Sequence, residues 1–263
     1  MMFLRVLMER RSLIYQMAKR DFTQRFVGSA AGWLWTIIHP LVLLVSWVFV
    51  FQFCMKIPPP AGAGGTNYTL YLFCGYLPWL LFQDTVQRSA TSLLDQSNLI
   101  TKTVFPSEII PVTIFLSSLG SHVIAVAAAV ATVRYMNQQF SALILLLPIY
   151  TVLLGLFAVG MGWIFASLQV YLRDTAQMVL VALTGWFWFT PIFIDETSFP
   201  ESMRFLVHWN PMAHIVKGYR QRLLTTDLPS WQELLLLAAI SVAVFVAGGI
   251  FFRHLKRGFA DVL

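Results

Sequence analysis

Long apolar runs alternate with short polar breaks along the chain, and the charged residues gather at the breaks. Six runs reach the ~20 residues a helix needs to cross a hydrocarbon core: 32–55, 69–93, 108–133, 141–168, 176–194 and 232–252. Several exceed that minimum, which allows tilt. Only Arg134 to Phe140 separate the third from the fourth, so these two form a tight hairpin. Six spans place both termini on one side of the membrane.

Two other segments have helical periodicity without the apolarity of a span. In residues 3–26, Leu4, Leu7, Met8, Tyr15, Ala18, Phe22 and Phe26 form one stripe, while Arg5, Glu9, Ser12, Gln16, Arg20 and Thr23 line the opposite face. Arg11 falls within the apolar stripe. Such a helix lies in the membrane interface, either as an anchor or as a docking element for a partner. In the 195–231 connection, Asn210-Pro211 supplies an N-cap followed by proline at the first helical position. Met212, Ile215, Val216, Tyr219 and Leu223 then make an apolar stripe, with Lys217, Arg220 and Gln221 off it. This helix either re-enters the membrane or lies along its outer leaflet. In the 94–107 connection, Asp95 or Ser97 could cap a short helix ended by Pro106, across the inner mouth. The expected fold is thus an all-α integral membrane protein with one domain, 1–263. It comprises an interfacial helix at 3–26, a six-span bundle at 32–252 and a cytoplasmic tail at 253–263.

Composition agrees. Charged residues make up 11% and apolar residues 58% of the 263, with a net charge of +6; a soluble domain carries roughly 25% charge. The cations sit at the ends of apolar runs and form no continuous stripe, which excludes a nucleic-acid surface. Twelve of the 18 Lys and Arg lie in the N-terminal segment or in segments and span ends on its side of the membrane. That bias places both termini in the cytoplasm. The basic N-terminal segment lacks the order of a secretory signal peptide. Trp33, Trp35, Trp79 and Trp231 fall near span ends, as an interfacial aromatic belt does.

Candidate chemistry is sparse. Gly62, Gly64 and Gly65 precede Thr66 and Asn67, with no lysine to reach a phosphate. If ATP drives this protein, another chain binds it. No residue set has metal-ligand spacing. Asp84 lies within the second span with Arg88 one turn on, a structural pair or a thin case for a proton-coupled carrier. Cys54 and Cys74 fall near outer span ends, as buried apolar residues or as a disulfide. Trp186, Phe187, Trp188 and Phe189 cover every face of one helical turn, serving in packing and the outer belt or as a sugar-stacking conduit.

A set of short motifs carries a family resemblance over nearly the whole chain. They are Arg20-Asp21 with Arg25, Gly28-Ser29, Gly32, Trp35 and Pro40; Gly75-Tyr76-Leu77-Pro78-Trp79; and Asn98-Leu99-Ile100-Thr101-Lys102 through Phe105-Pro106-Ser107-Glu108-Ile109-Ile110-Pro111. Tyr171-Leu172-Arg173-Asp174, Asn210-Pro211 with Tyr219-Arg220, and Phe259-Ala260-Asp261 complete it. In order and spacing the chain resembles the permease subunit of bacterial ABC-2 type polysaccharide exporters, which move lipid-linked O-antigen and teichoic acid. It departs from the family pattern at Ser107, where arginine is usual.

The resemblance implies a place in a bacterial inner membrane and a homodimer bound to two copies of a separate ATPase that holds ATP and Mg, this chain binding no cofactor. It places ATPase contacts on 3–26 and 95–106, with Tyr15, Asp21, Asn98, Leu99, Phe105 and Glu108 as candidates. It implies export of a glycan on undecaprenyl pyrophosphate through a channel formed mainly by spans one and five. Trp186, Phe187, Trp188, Phe189 and Trp35 are then conduit candidates, and Arg20, Arg25 and Lys102 candidates for drawing the pyrophosphate or other lipid headgroups to the inner mouth. Another cargo for the same kind of permease (capsule, drug or lipid), a proton-coupled carrier using Asp84, and a membrane scaffold are the competing functions.

Overall fold

The computed structural model describes residues 9–25, 27, 32–57, 67–103, 105–137, 142–226 and 228–262. The expectations for Leu4, Leu7, Met8, Phe26, Gly28-Ser29 and the Gly62–Thr66 cluster lie outside them. No strand occurs among the described residues. In chain order the helices are α1 (Arg11–Gln24), α2 (Trp35–Val48), α3 (Tyr68–Asp95), α4 (Ser97–Lys102), α5 (Ile109–Asn137), α6 (Leu147–Tyr171), α7 (Thr175–Phe189), α8 (Arg204–His208), α9 (Pro211–Leu224), α10 (Trp231–Leu255) and α11 (Phe259–Val262). A π-turn at Phe49–Cys54 prolongs α2.

Each of the six apolar runs contains a helix. Those at Ile109–Tyr135, Ala142–Tyr171 and Trp231–Gly258 are long and apolar enough to cross a membrane, and Pro40–Cys54 and Thr175–Phe189 are shorter apolar helices. The 28-residue α3 has the length, but Tyr68, Tyr71, Tyr76, Trp79, Gln83 and Asp84 dilute its apolarity. Its position explains why that is tolerated. It packs against α5, α6, α7 and α9, so protein covers most of its surface. Trp79 accordingly sits in the core with its indole donating to Gln83 at 2.8 Å, and not in an interfacial belt.

α7 is shorter than the apolar run that contains it. Thr190 is already extended, because the residue before Pro191 is pushed out of the helical region. At 1.5 Å per residue its 15 residues reach only about 22 Å. α5 is longer than expected and carries Arg134 in its last turn.

α6 and α10 make the closest pairing. A Cβ on Gly160 would stand 2.6 Å from the Val244 carbonyl oxygen, and one on Gly248 would collide with the Gly160 carbonyl. Small residues let the two backbones meet, as in other membrane helix pairs. The segment after α10 is docked as well: Phe259 is buried beside Phe252 and Tyr171, whose hydroxyl donates to the Leu255 carbonyl at 2.9 Å. It is therefore not a free tail.

Three other expectations need correction. The protein-facing stripe of α1 centres on Ile14 and Ala18, which pack with Phe22 against α5, while Tyr15 is exposed. The N-cap of α4 is Gln96 with no side-chain bond, and Asp95 accepts from Thr91 at 2.9 Å. Cys54 is exposed, Cys74 is buried, and both are free thiols.

Candidate functional site

Three polar regions stand out in this apolar bundle, and α3 contributes to each. At its N-terminal end lies Arg220 of α9, which the stripe pattern set off the apolar face. It is buried all the same, because its guanidinium is met by three carbonyl oxygens, two of them, Pro191 and Ile192, outside any helix. Nε donates to the Tyr71 carbonyl at 3.2 Å, Nη1 to the Pro191 carbonyl at 2.6 Å, and Nη2 to the Ile192 carbonyl. Nη1 also donates to the Tyr71 hydroxyl at 2.8 Å, and the cation sits 3.6 Å from the Tyr71 ring centroid. A Cβ on Gly75 would stand 2.5 Å from Nη2, so only glycine leaves room. Two motifs 145 positions apart in sequence are thus one contact. The Tyr68 hydroxyl adds a bond to the Phe193 carbonyl at 2.9 Å.

Asn210 caps α9 as expected, accepting from the Met212 amide at 3.0 Å. The same oxygen accepts from the Trp186 indole at 2.9 Å, and its amide nitrogen donates to Thr190 at 3.1 Å. α9 is not a surface helix: Pro211, Met212, Ile215, Val216, Tyr219 and Leu223 are all buried against α3, α6 and α10. Tyr219 meets Thr151 at 2.5 Å and His122 at 2.9 Å. Arg222 is also fully enclosed, its Nη2 donating to Gln221 at 3.1 Å. Lys217 joins Glu196 at 3.0 Å to Glu233 at 2.8 Å. Burial works to lower its ammonium, and the two carboxylates outweigh that and hold it above the usual lysine range.

The second region is a groove of about 350 Å³ between α2, α3 and α7, lined by Leu43, Trp47, Tyr76, Gln83, Gln87 and Phe187. One wall is aromatic: Trp47 meets Tyr76 edge-on at 4.7 Å and Phe187 at 5.3 Å between centroids. Trp188 stacks on Phe193 at 5.0 Å. The four-aromatic turn therefore divides. Trp186 faces Phe82 and Phe157, Phe187 reaches the groove, and Trp188 and Phe189 point outward. Trp35 is exposed at the start of α2 and borders a separate cavity of about 330 Å³ with Arg25, Asp84, Ser118 and His122.

The third region joins α1 to α3 and α5. Arg88 Nη2 holds both oxygens of Asp21, at 2.6 and 2.7 Å. Arg25 lies 3.2 Å from Asp84 and donates to Ser118 at 3.0 Å, and Ser118 donates to Asp84 at 2.5 Å. Asp84 is thus paired by Arg25 and bonded by Ser118. Arg25 and Asp21 are engaged within the protein, whereas Arg20, Lys102, Asn98 and Leu99 are exposed. Phe105 packs beside the buried cluster around Leu93 and Trp163. Glu108 pairs with Lys256, and its carbonyl accepts from the Trp163 indole at 2.9 Å. Sequence reasoning singled out Arg25, Asp84 and Arg88 without joining them to Asp21; alternating charges at i and i+4 on two helices were the available signal.

Residues 12–224 match the ABC-2 type transporter family. The chain belongs to that family. It is 28% identical over 259 residues to the O-antigen export system permease protein RfbA of Myxococcus xanthus, covering 98% of this chain and 97% of that protein. With an O-antigen export system permease protein RfbA of Klebsiella pneumoniae it shares 26% identity over 253 residues, 95% of each. The polysialic acid transport protein KpsM of Escherichia coli is 21% identical over 237 residues, 89% of this chain and 90% of that protein. The family assignment makes this chain an ABC-2 permease. The matched region holds the groove, the Arg220 contacts and the charged cluster.

Proposed function

We propose that this chain is the membrane-spanning subunit of an ATP-driven exporter of lipid-linked polysaccharide, with O-antigen as the cargo class. The observation that carries this reading is the groove between α2, α3 and α7, in a chain similar almost end to end to O-antigen export permeases. Its rings offer faces to sugars, and the Gln83 and Gln87 amides offer donors and acceptors to hydroxyls. Stacking is weak per ring and tolerant of sequence, so a long glycan slides without being trapped.

In this reading α2 with its π-turn, α3, α5, α6, α7 and α10 are the six spans, both termini are cytoplasmic and α9 is re-entrant. The depth of α9 supports the last point, since Tyr219 reaches His122 near the middle of α5. Two copies pair through the exposed apolar faces of α2 and α7, which carry Val42, Val45 and Val181. A separate ATPase carrying the phosphate loop bears on α1 and α4, where Tyr15, Asn98 and Leu99 are exposed. Arg20 and Lys102, exposed at the inner end, attract the anionic pyrophosphate of the lipid carrier.

The test is native purification joined to a deletion. An ATPase with a phosphate loop is expected to co-purify in equal amount, and deletion to abolish surface polysaccharide until the gene is restored. A chain that purifies alone, with surface polysaccharide unchanged by its deletion, overturns the reading. Capsule polysaccharide is the second cargo to assay, because the similarity extends to KpsM at lower identity.

A further inference from the structure

The charged cluster at the inner end of α3 has a geometry that a static brace does not need. Asp21 of α1 and Arg25, the C-cap of that helix, stand one turn apart, and Asp84 and Arg88 stand one turn apart on α3. Both arginines lie near both carboxylates. Arg25 is 3.2 Å from Asp84 on the other helix and 3.5 Å from Asp21 on its own. Arg88 is 2.6 Å from Asp21 on the other helix and 3.9 Å from Asp84 on its own. Two donors within the cluster, Arg25 Nε and Arg88 Nη1, are buried without a hydrogen-bond partner. They are the atoms nearest to the same-helix carboxylates.

Four charges so placed have two complete pairings. In the observed one the pairs cross between helices and hold α1 on α3. In the other each helix pairs with itself, every charge stays neutralised, and α1 is released from α3. Exchange between them is accessible because the four side chains keep 21% to 39% of their surface exposed, so water screens the intermediate arrangements. α1 packs mainly on α5, which leaves the quartet as its chief polar tie to α3. Asp84 borders both the groove and the neighbouring cavity. A change of pairing therefore alters the groove wall directly.

We propose that Asp21, Arg25, Asp84 and Arg88 form a two-state latch, in which exchange from between-helix to within-helix pairing uncouples α1 from the groove-lining helix α3. As a transport device it rests on the reading of α1 as the ATPase-facing helix. Its two states are properties of the chain itself and can be tested without export.

Charge swaps separate the states. D21R/R88D keeps the crossed pairs and puts like charges along each helix, so it allows only the closed state. D21R/R25D keeps the pair on α1 and sets like charges across the gap, so it allows only the open state. The fourfold swap D21R/R25D/D84R/R88D restores both. Spin labels at Thr23→Cys and Gln87→Cys, in full-length protein with Cys54→Ser and Cys74→Ala, report the α1–α3 distance in reconstituted membranes. Two distances are expected in the parent and in the fourfold variant, only the shorter in D21R/R88D and only the longer in D21R/R25D. In cells, both double variants are expected to be membrane-inserted with at least tenfold less export, and the fourfold variant to recover it. A single distance in the parent across nucleotide states overturns the latch. So does full export by D21R/R88D, which is what a brace would give, or a fourfold variant no better than the doubles. If the unmodified gene fails to restore export, the exporter reading fails while the distances still decide the latch.

Discussion

The two ends of α3 handle buried charge in opposite ways. At the N-terminal end, the outer one in the proposed orientation, a single cation, Arg220, is enclosed by backbone carbonyls of Tyr71, Pro191 and Ile192, none of which can rotate away. Toward the C-terminal end, the inner one in that orientation, four charges are met by side chains on flexible stems and remain partly wet. Backbone acceptors make a fixed joint and side-chain acceptors a reversible one. The outer joint ties α3, the turn after α7 and α9 into one unit, while the inner one ties α1 to that unit on terms that can change.

The sharpest way to break this contrast is at the outer joint. Arg220→Ala strands the carbonyls and removes the cation from its ring, and a loss of about 3–5 kcal/mol is expected by analogy with removing one partner of a buried ionic contact. Thermal unfolding in detergent should show it, and Gly75→Leu should do the same by filling the cradle. Trp186→Ala comes next, at about 3 kcal/mol for a large aromatic lost from partial burial, because its indole also holds the cap of α9. Trp188→Ala, four-sevenths exposed, is expected to leave the melting temperature within 1–2 °C and to lower export if the ring guides cargo. Tyr219→Phe leaves His122 and Thr151 without their shared partner and should cost about 1–3 kcal/mol. At the inner end Asp84→Asn should cost no more than about 1 kcal/mol, as partly exposed ion pairs do. Equal destabilisation by Asp84→Asn and Arg220→Ala would erase the distinction.

Much of the fold was legible in the sequence because the membrane imposes length and apolarity on each span, and both can be read from a window of residues. The start of α9 was legible too, since Asn210-Pro211 is a local signal for capping. The failures share a cause. Periodicity reports how a helix would divide between water and oil, and α9 faces neither. Enclosed by α3, α6 and α10, it buries Arg220 because backbone carbonyls of α3 and of the turn after α7 converge there. Trp79 was misplaced for the same reason: on a helix surrounded by protein, an indole needs only Gln83 to be satisfied. The groove and the quartet are assembled from separate helices, so their residues could be nominated singly but not joined.

The brevity of α7 has a consequence for the lipid around it. In the proposed six-span arrangement, a helix reaching about 22 Å sits in a hydrocarbon layer of ~30 Å. Wherever that helix meets lipid, the mismatch is relieved by local thinning of the bilayer. A thinner layer beside the groove brings the two headgroup planes closer together, which for the proposed lipid-linked glycan shortens the dry distance over which the polar chain has to be shielded. Acyl-chain length in the host membrane thereby becomes a parameter of the transporter, set by the proline that follows one helix.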